Sequence, residues 1–343
     1  MAREGDQTGK VSSHGAASVT GVTEVSSRVH DLQASTPEVR LSLTRAGVTG
    51  VQKAVRVRHE GRETVMAAEI ECTVDLAHSQ KGAHMSRFAE IFEEAIEAVV
   101  GSEALHVESL AEHIARHIVG RQSALRAEAR ITARWPVRRT TPVSKLSTQE
   151  MVSLIGIAAA TTERVRRIVG VEATGINACP CAQGLVRGRA AERLAEAGYE
   201  DVERILDLVP LATHNQRGKG SLYVGTERRL DANDLVAIVQ DSMSAPIYEL
   251  LKRPDELFVV EHAHLQPRFV EDSVRLSLKG ALDALPDLAD TDFLYARQVN
   301  FETIHAHDVL AEREGTVGEL RAELRTAEPT ERHTSLADWL GAA

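Results

Sequence analysis

The chain is short of aromatic residues, of cysteine, of long apolar runs and of positive charge, and each shortage removes a class of function. Phe, Tyr and Trp make up 3% of 343 residues, too few for the rows of stacking rings that hold single-stranded nucleic acid. With 40 basic against 50 acidic side chains the formal charge is −10, which opposes broad attraction to DNA, RNA or anionic lipid. Neither nucleic acid nor membrane is therefore expected as a partner. Cys72, Cys179 and Cys181 are too few for a disulfide framework or a four-cysteine zinc site, and fit a reducing, cytoplasmic setting. No run approaches the roughly 20 apolar residues of a membrane span. The stretch from Met1 to Glu24 lacks the apolar core of a secretory signal.

What is present suffices for a packed protein: hydrophobic residues at 43% and charged residues at 26% are ordinary globular proportions. The length suggests two units. Fourteen histidines raise the question of metal or acid/base chemistry.

Residues 1–29, rich in Gly, Ser and Thr, read as a disordered tail. From Leu41 to Leu76, β-branched stretches either side of His59-Glu60-Gly61-Arg62 read as a hairpin. SRFAEIFEEAIEAVV and HVESLAEHIARHIVG then carry helical periodicity. A third strand from Ala124 ends near Pro136, before a polar connector, RRTTPVSKLSTQ. In the second half SLIGIAAATTERV, RIVGVEATG and FLYARQVNFETIH read as strands, and THNQRGKGSL as a Gly-spaced loop. The stretch after Cys-Pro-Cys to about Leu208, ANDLVAIVQDSM, APIYELLKRPDEL and FVEDSVRLSLKGALDAL read as helices. The expected architecture is α+β: two tandem β-β-α-α-β-type modules, 30–140 and 141–310, with antiparallel sheets and helix pairs. Residues 311–343, charged and partly helical, are expected to be peripheral.

Four places concentrate reactive side chains. In Ala178-Cys179-Pro180-Cys181, proline fixes the backbone between two thiols. Either a thiolate here serves as a ligand for zinc or ferrous iron, or both are small buried residues. His214 precedes Asn215, Gln216, Arg217 and Lys219, which sets a metal ligand beside partners for an anion, or else makes a solvated turn. His305 and His307, two apart on a strand, would face one cleft, one ligating and the other moving protons. His262 and His264 share that spacing but read as exposed. Acidic groups in Leu251 to Glu256 and in Phe269 to Asp272 suit an oxygen ligand and a base-gripping carboxylate, or are helix-end charges. No phosphate loop, G-x-S-x-G or H-E-x-x-H occurs.

In combination and in order, Asp31-Leu32-Gln33, KGAHMSRF (81–88), GINACPCAQ (175–183), THNQRGKGSL (213–222), YELLKRPDE, RFVED (268–272) and NFETIHAH (300–307) resemble the type IB GTP cyclohydrolases. The resemblance spans about 30–310. The PVRRTTPVSKLSTQ segment, the long gap from CPC to HNQR and CAQ after the cysteines look like the archaeal MptA branch, GTP cyclohydrolase IV.

The resemblance implies a tunnelling fold, assembled as a homodimer or homotetramer with active sites between subunits. It implies one divalent metal per site, Fe(II) foremost with Mn(II) or Zn(II) as alternatives, at Cys179, His214, Glu256 and His305. Asp255 and Glu261 lie close to Glu256 and carry similar chemistry. Glu271 matches the carboxylate that grips the purine, since two acceptor oxygens suit the N–H donors of guanine. His307 is the candidate acid/base beside the catalytic Cys179. Arg217, Lys219, Lys252 and Arg253 would meet phosphate, and Lys81, His84 and Arg87 would line the same pocket or serve structure alone. The activity so implied is hydrolysis of GTP at C8 with release of formate. In the MptA branch the product is 7,8-dihydroneopterin 2′,3′-cyclic phosphate with pyrophosphate, for methanopterin- or folate-type pterin synthesis; in the bacterial branch it is the triphosphate. Two rivals are a different tunnelling-fold purine or pterin enzyme with a nucleophilic cysteine, and a metal- or purine-binding protein without turnover.

Overall fold

A computed structural model of the chain describes residues 31–59, 62–100, 106–328 and 333–343. The tail expected at 1–29 and the hairpin tip at 60–61 lie outside the described residues. Strands β1 (Leu43–His59) and β2 (Arg62–Leu76) lead into helices α1 (Met85–Val100) and α2 (Val107–Gln122), then strands β3 (Arg126–Thr140), β4 (Ser147–Thr161) and β5 (Val165–Ala178). Helices α3 (Pro180–Glu196) and α4 (Val202–Leu208) precede β6 (Asn215–Gly225) and α5 (Ala232–Asp241). The two-residue β7 (Ala245–Pro246), α6 (Arg253–Leu265), α7 (Val270–Ala284), β8 (Phe293–Asn300), β9 (Val309–Thr316), α8 (Val317–Thr326) and α9 (Leu336–Gly341) complete the order. Among the described residues the strands form one nine-stranded sheet, β1-β2-β3-β4-β5-β6-β8-β9, with β7 beside the end of β5. Every pairing is antiparallel, so the expected α+β class with an antiparallel sheet holds.

One face of the sheet carries the main core. Alternate residues of β2 and β3, such as Ile70, Cys72, Ala129 and Ile131, meet Phe88 and Phe92 of α1 and Ile114 and Ile118 of α2. Leu110, Ile114 and Ile118 recur at one-turn spacing and are fully buried. Each contributes about 1.5–3 kcal/mol by leaving water. The helices approach closely where β4 has no side chain: a Cβ on Gly156 would lie 2.4 Å from the Val107 backbone. On the other face, Ile155, Ile157, Ile168, Tyr223 and Phe293 form a smaller cluster capped by Trp339 and Leu340 of α9. Residues 311–343 therefore supply most of the last strand and cover part of the sheet.

The structure departs from expectation where local composition misleads. β3 continues through Pro136, which pairs with Met151 of β4. The β2 partners stop at Ala133, so proline's missing N–H falls on a free edge. The two ends of the polar connector are strand, with Thr140 opposite Ser147, and the 140/141 division falls in the turn between them. THNQRGKGSL is not a loop but the start of β6. Gly218 is needed there because a Cβ would lie 2.2 Å from Gln298 Nε2. APIYELL is not helical: Ala245 and Pro246 pair with β5, and α6 opens only at Arg253 with proline in its first turn. Residues 301–308 are irregular rather than strand.

Asp255, fully buried in the first turn of α6, fastens that helix to the β3–β4 turn. It accepts the Val143 N–H at 2.9 Å, the Ser144 N–H at 2.8 Å and hydroxyl at 2.5 Å, and the Lys252 N–H at 3.0 Å. Burial alone would raise its pKa, but these bonds outweigh it and hold the carboxyl well below the usual 3.8.

Two predictions follow from this packing. Gly156→Ala should cost about 1–3 kcal/mol in urea unfolding, whereas Gly184→Ala, in open space on α3, should be neutral or stabilising by up to about 1 kcal/mol; equal effects would contradict the close approach. A pKa depressed in the folded state adds stability above the unfolded value and loses it as pH falls below. Asp255→Asn should therefore destabilise at pH 7, with the gap to wild type narrowing below about pH 4. A constant gap down to pH 3 would contradict that role.

Candidate functional site

The sheet has two ends. At one, Arg126 lies opposite Thr161, Gly225 opposite Phe293 and Phe293 opposite Thr316. At the other, Ala178 lies opposite Asn215 and Asn300 opposite Val309. Cys179 and His214 occupy the positions just beyond that second end, so β5–β6 pairing brings together two residues remote in sequence. The Cys179 N–H donates to the His214 carbonyl at 3.1 Å, and the Thr213 hydroxyl to the Cys179 carbonyl at 2.7 Å. Cys179 is the N-cap of α3: its backbone is extended, its sulfur accepts from the Ala182 N–H at 3.5 Å, and Pro180 starts the helix. Cys181, by contrast, is exposed.

The protonation pattern of His214 follows from its neighbours. The Gln216 amide donates to Glu302 Oε1 at 3.1 Å, and an ionised carboxylate can only accept. The amide oxygen therefore faces His214 Nδ1, 3.0 Å away, which must carry the proton. His214 Nε2 keeps the lone pair for a ligand or a proton. The Glu302 side chain is 6% exposed; its Oε2 lies 3.7 Å from His214 Nδ1 and has no hydrogen bond. From the sequence Gln216 reads only as one of several partners for an anion, and Glu302 is not singled out. Their only signal there is that each shares a motif with a histidine.

His305 presents its ring edge-on to His214 with centroids 6.3 Å apart, and His307 stacks on His305 at 5.3 Å. The two share a side because the loop is pinned, not because a strand alternates. The Phe301 N–H donates to the Arg217 carbonyl at 2.9 Å, and the Glu302 N–H to Asp308 at 3.2 Å. Beneath this loop lies a buried amide cluster. Asn177 donates to Asn300 at 3.0 Å and to Ser273 of α7 at 3.1 Å, and accepts the Ser244 N–H at 3.1 Å. A paired polar network of this kind rigidifies its surroundings.

The remaining expected residues are spread more widely. Glu271, exposed in the first turn of α7, stands two residues before Ser273 and so belongs to this end of the sheet. Glu256 is exposed in the first turn of α6. It is the far end of α6 that meets α3, where Gln183 donates to the His264 carbonyl at 2.6 Å. At 1.5 Å per residue Glu256 lies about 12 Å along the helix from that contact. Its neighbour Asp255 is occupied by the β3–β4 turn. Lys252 caps α6 and is exposed beside Arg253. Arg217 is exposed on the face of β6 opposite Gln216, as is Lys219, whose ammonium is 3.5 Å from Glu172. Within one chain His84 is at the opposite end, just before α1, with Nε2 3.0 Å from Asp31. That bond holds the Asp31 carboxyl below its usual range.

Among the described residues no three His, Cys, Asp or Glu side chains form a ready metal cage. The donor chemistry nonetheless suits a divalent metal: a thiol, a free imidazole Nε2 and a second imidazole lie at this end, while Glu302, on the Nδ1 side of His214, orients that ring through Gln216. Long-range proton–nitrogen NMR of His214 should report the Nδ1–H tautomer, and Gln216→Leu should mix the tautomers. An Nε2–H signature in the wild type would contradict the Gln216–Glu302 arrangement.

Comparison with known proteins identifies the family. The family described as "Type I GTP cyclohydrolase folE2" matches residues 29–311. GTP cyclohydrolase MptA of Methanococcus aeolicus is 41% identical over 86% of this chain and 99% of its own length. The protein of that name from Haloferax volcanii is 42% identical over 88% and 99%. Uricase from Arthrobacter globiformis superposes over 86% of this chain and 98% of its own with a TM-score of 0.49 and 8% identity, too distant to argue from. On the breadth of the family match and the identity to its relatives, the chain belongs to the type I GTP cyclohydrolase FolE2 family.

Proposed function

We propose that the protein is a metal-dependent GTP cyclohydrolase that opens the guanine imidazole ring at C8, releases formate and yields 7,8-dihydroneopterin 2′,3′-cyclic phosphate with pyrophosphate. The observation that carries this reading is the meeting of Cys179 with His214 at the sheet end, with the His214 lone pair left free by Gln216. The near-complete coverage of relatives named GTP cyclohydrolase MptA supports the branch.

Cys179, His214, His305 and Glu256 are the donors that would hold the metal, Fe(II) before Mn(II) or Zn(II). When bound, such an ion supplies activation of water near neutral pH. The side chains do the rest. Glu271 accepts from the guanine N1–H and exocyclic amine, which fixes the base. His307, stacked on His305, gives and takes the proton at the ring nitrogen as formate leaves. Arg217 and Lys252 neutralise phosphate oxygens.

These groups lie on β6, in the first turns of α6 and α7, and on the strand-end loop of one chain. A homodimer or homotetramer completes the site in this reading, with His84 supplied from a neighbouring copy. The edges of β1 and β9, each paired on one side only among the described residues, are where copies would join. In this reading the first module, 30–140, holds β1 to β3 with α1 and α2, and the second, 141–310, opens with β4.

Purified protein incubated anaerobically with GTP and Fe(II), Mn(II) or Zn(II) should release formate and give pterin fluorescence after oxidation. Product mass separates the cyclic phosphate from the triphosphate of the bacterial branch. Cys179→Ala should cut formate release at least about 100-fold. Folded protein that gives no formate with any of the three metals would overturn the proposal.

A further inference from the structure

Four of the fourteen histidines, His84, His214, His305 and His307, belong to the proposed GTP site. A different pair stands on the outward face of α2. Leu110, Ile114 and Ile118 bury one side of that helix, and His113 and His117 project from the other, one turn apart. At this spacing two side chains lie one above the other on the helix surface. Their ring centroids are 3.9 Å apart with planes inclined by 25°. His117 Nδ1 donates to the His113 carbonyl at 2.7 Å, which fixes its tautomer and leaves Nε2 with a free lone pair. The ring of His113 has no hydrogen bond among the described residues.

Burial and then the neighbouring His117 lower the pKa of His113, and a neutral imidazole offers one in-plane nitrogen to a ligand. Surrounding charges do not oppose a cation. Glu94 of α1 faces His113 and is held by Arg121 at 2.8 Å, and Arg121 also reaches Glu90 at 3.4 Å. Arg116 is tied to Glu112 at 2.9 Å. The nearby basic groups are thus matched by carboxylates, with Arg167 also on Glu112 at 3.0 Å and Lys53 on Glu93 of α1.

We propose that His113 and His117 form a bidentate site for a divalent transition-metal ion that favours imidazole, Zn(II), Ni(II) or Cu(II). Two histidines one helical turn apart on one face can ligate a single ion, and water completes the coordination. The site stands on the helix layer over β3 and β4, apart from Cys179 and His214. An ion bridging successive turns of α2 binds only the folded helix and so stabilises it by linkage.

Ni(II) titration of full-length Cys179→Ala protein, followed by calorimetry and thermal unfolding, tests this site apart from the candidate active centre. One equivalent should bind at micromolar Ni(II) and raise Tm. His117→Ala or His113→Ala should weaken binding at least tenfold and abolish the Tm shift, while His262→Ala should change neither. Both α2 rings lie outside the core, and circular dichroism verifies that the variants fold. With Cu(II), electron paramagnetic resonance should show two nitrogen ligands, one fewer in each α2 variant. Binding that survives both α2 substitutions, or that needs millimolar Ni(II), would overturn the proposal.

Discussion

Pairing of β5 with β6 runs from Ile168 opposite Gly225 to Ala178 opposite Asn215, and one more backbone bond, from the Cys179 N–H to the His214 carbonyl, carries it past the last rung. A thiol and an imidazole separated by two helices and a loop thereby become neighbours. Because strand register is fixed residue by residue, a slip of one position would turn His214 and Gln216 to the other face and part the pair. The pairing is held by close packing, since β6 passes beneath Gln298 only because Gly218 has no side chain. The Asn177–Asn300–Ser273 cluster then locks β5, β8 and α7 together just below the site.

Much of the fold is legible in the sequence because its elements alternate hydrophobicity at clean periods. The β1–β2 hairpin and helices α1, α2, α5 and α7 all follow that signal. What escapes is governed by contacts rather than by local pattern. β6 reads as a loop because its glycines, required by neighbours in space, mimic turn composition. APIYELL has helical composition, yet β7 pairs with β5 and proline starts α6 later. Trp339 gives no hint in a charged tail that it packs on Phe293, 5.5 Å away.

The candidate site divides in the same way. Cys179, His214, His305 and His307 are legible because their chemistry is carried by residue type, and the structure gathers them at one end. Gln216 and Glu302 are not, because an amide and a carboxylate gain their role only by facing an imidazole. Glu256 and His84 are legible by resemblance to a family, but one chain leaves the first in the opening turn of α6, away from the contact with α3, and the second at the other end of the sheet. Net charge sharpens the picture: a polyanionic substrate must approach a chain of formal charge −10. Local cations, Arg217 and Lys219 on the open face and Lys252 and Arg253 at the start of α6, must therefore outweigh the global field.

The central claim is that Cys179, placed by the strand register beside His214, supplies the sulfur ligand of the metal centre. X-ray absorption at the metal edge of protein loaded with one equivalent of Fe(II) or Zn(II) reads this directly. One sulfur neighbour at about 2.3 Å together with nitrogen scatterers is expected in the wild type, retained in Cys181→Ala and lost in Cys179→Ala. A first shell without sulfur in the wild type, or sulfur that disappears with Cys181 and survives loss of Cys179, would contradict it.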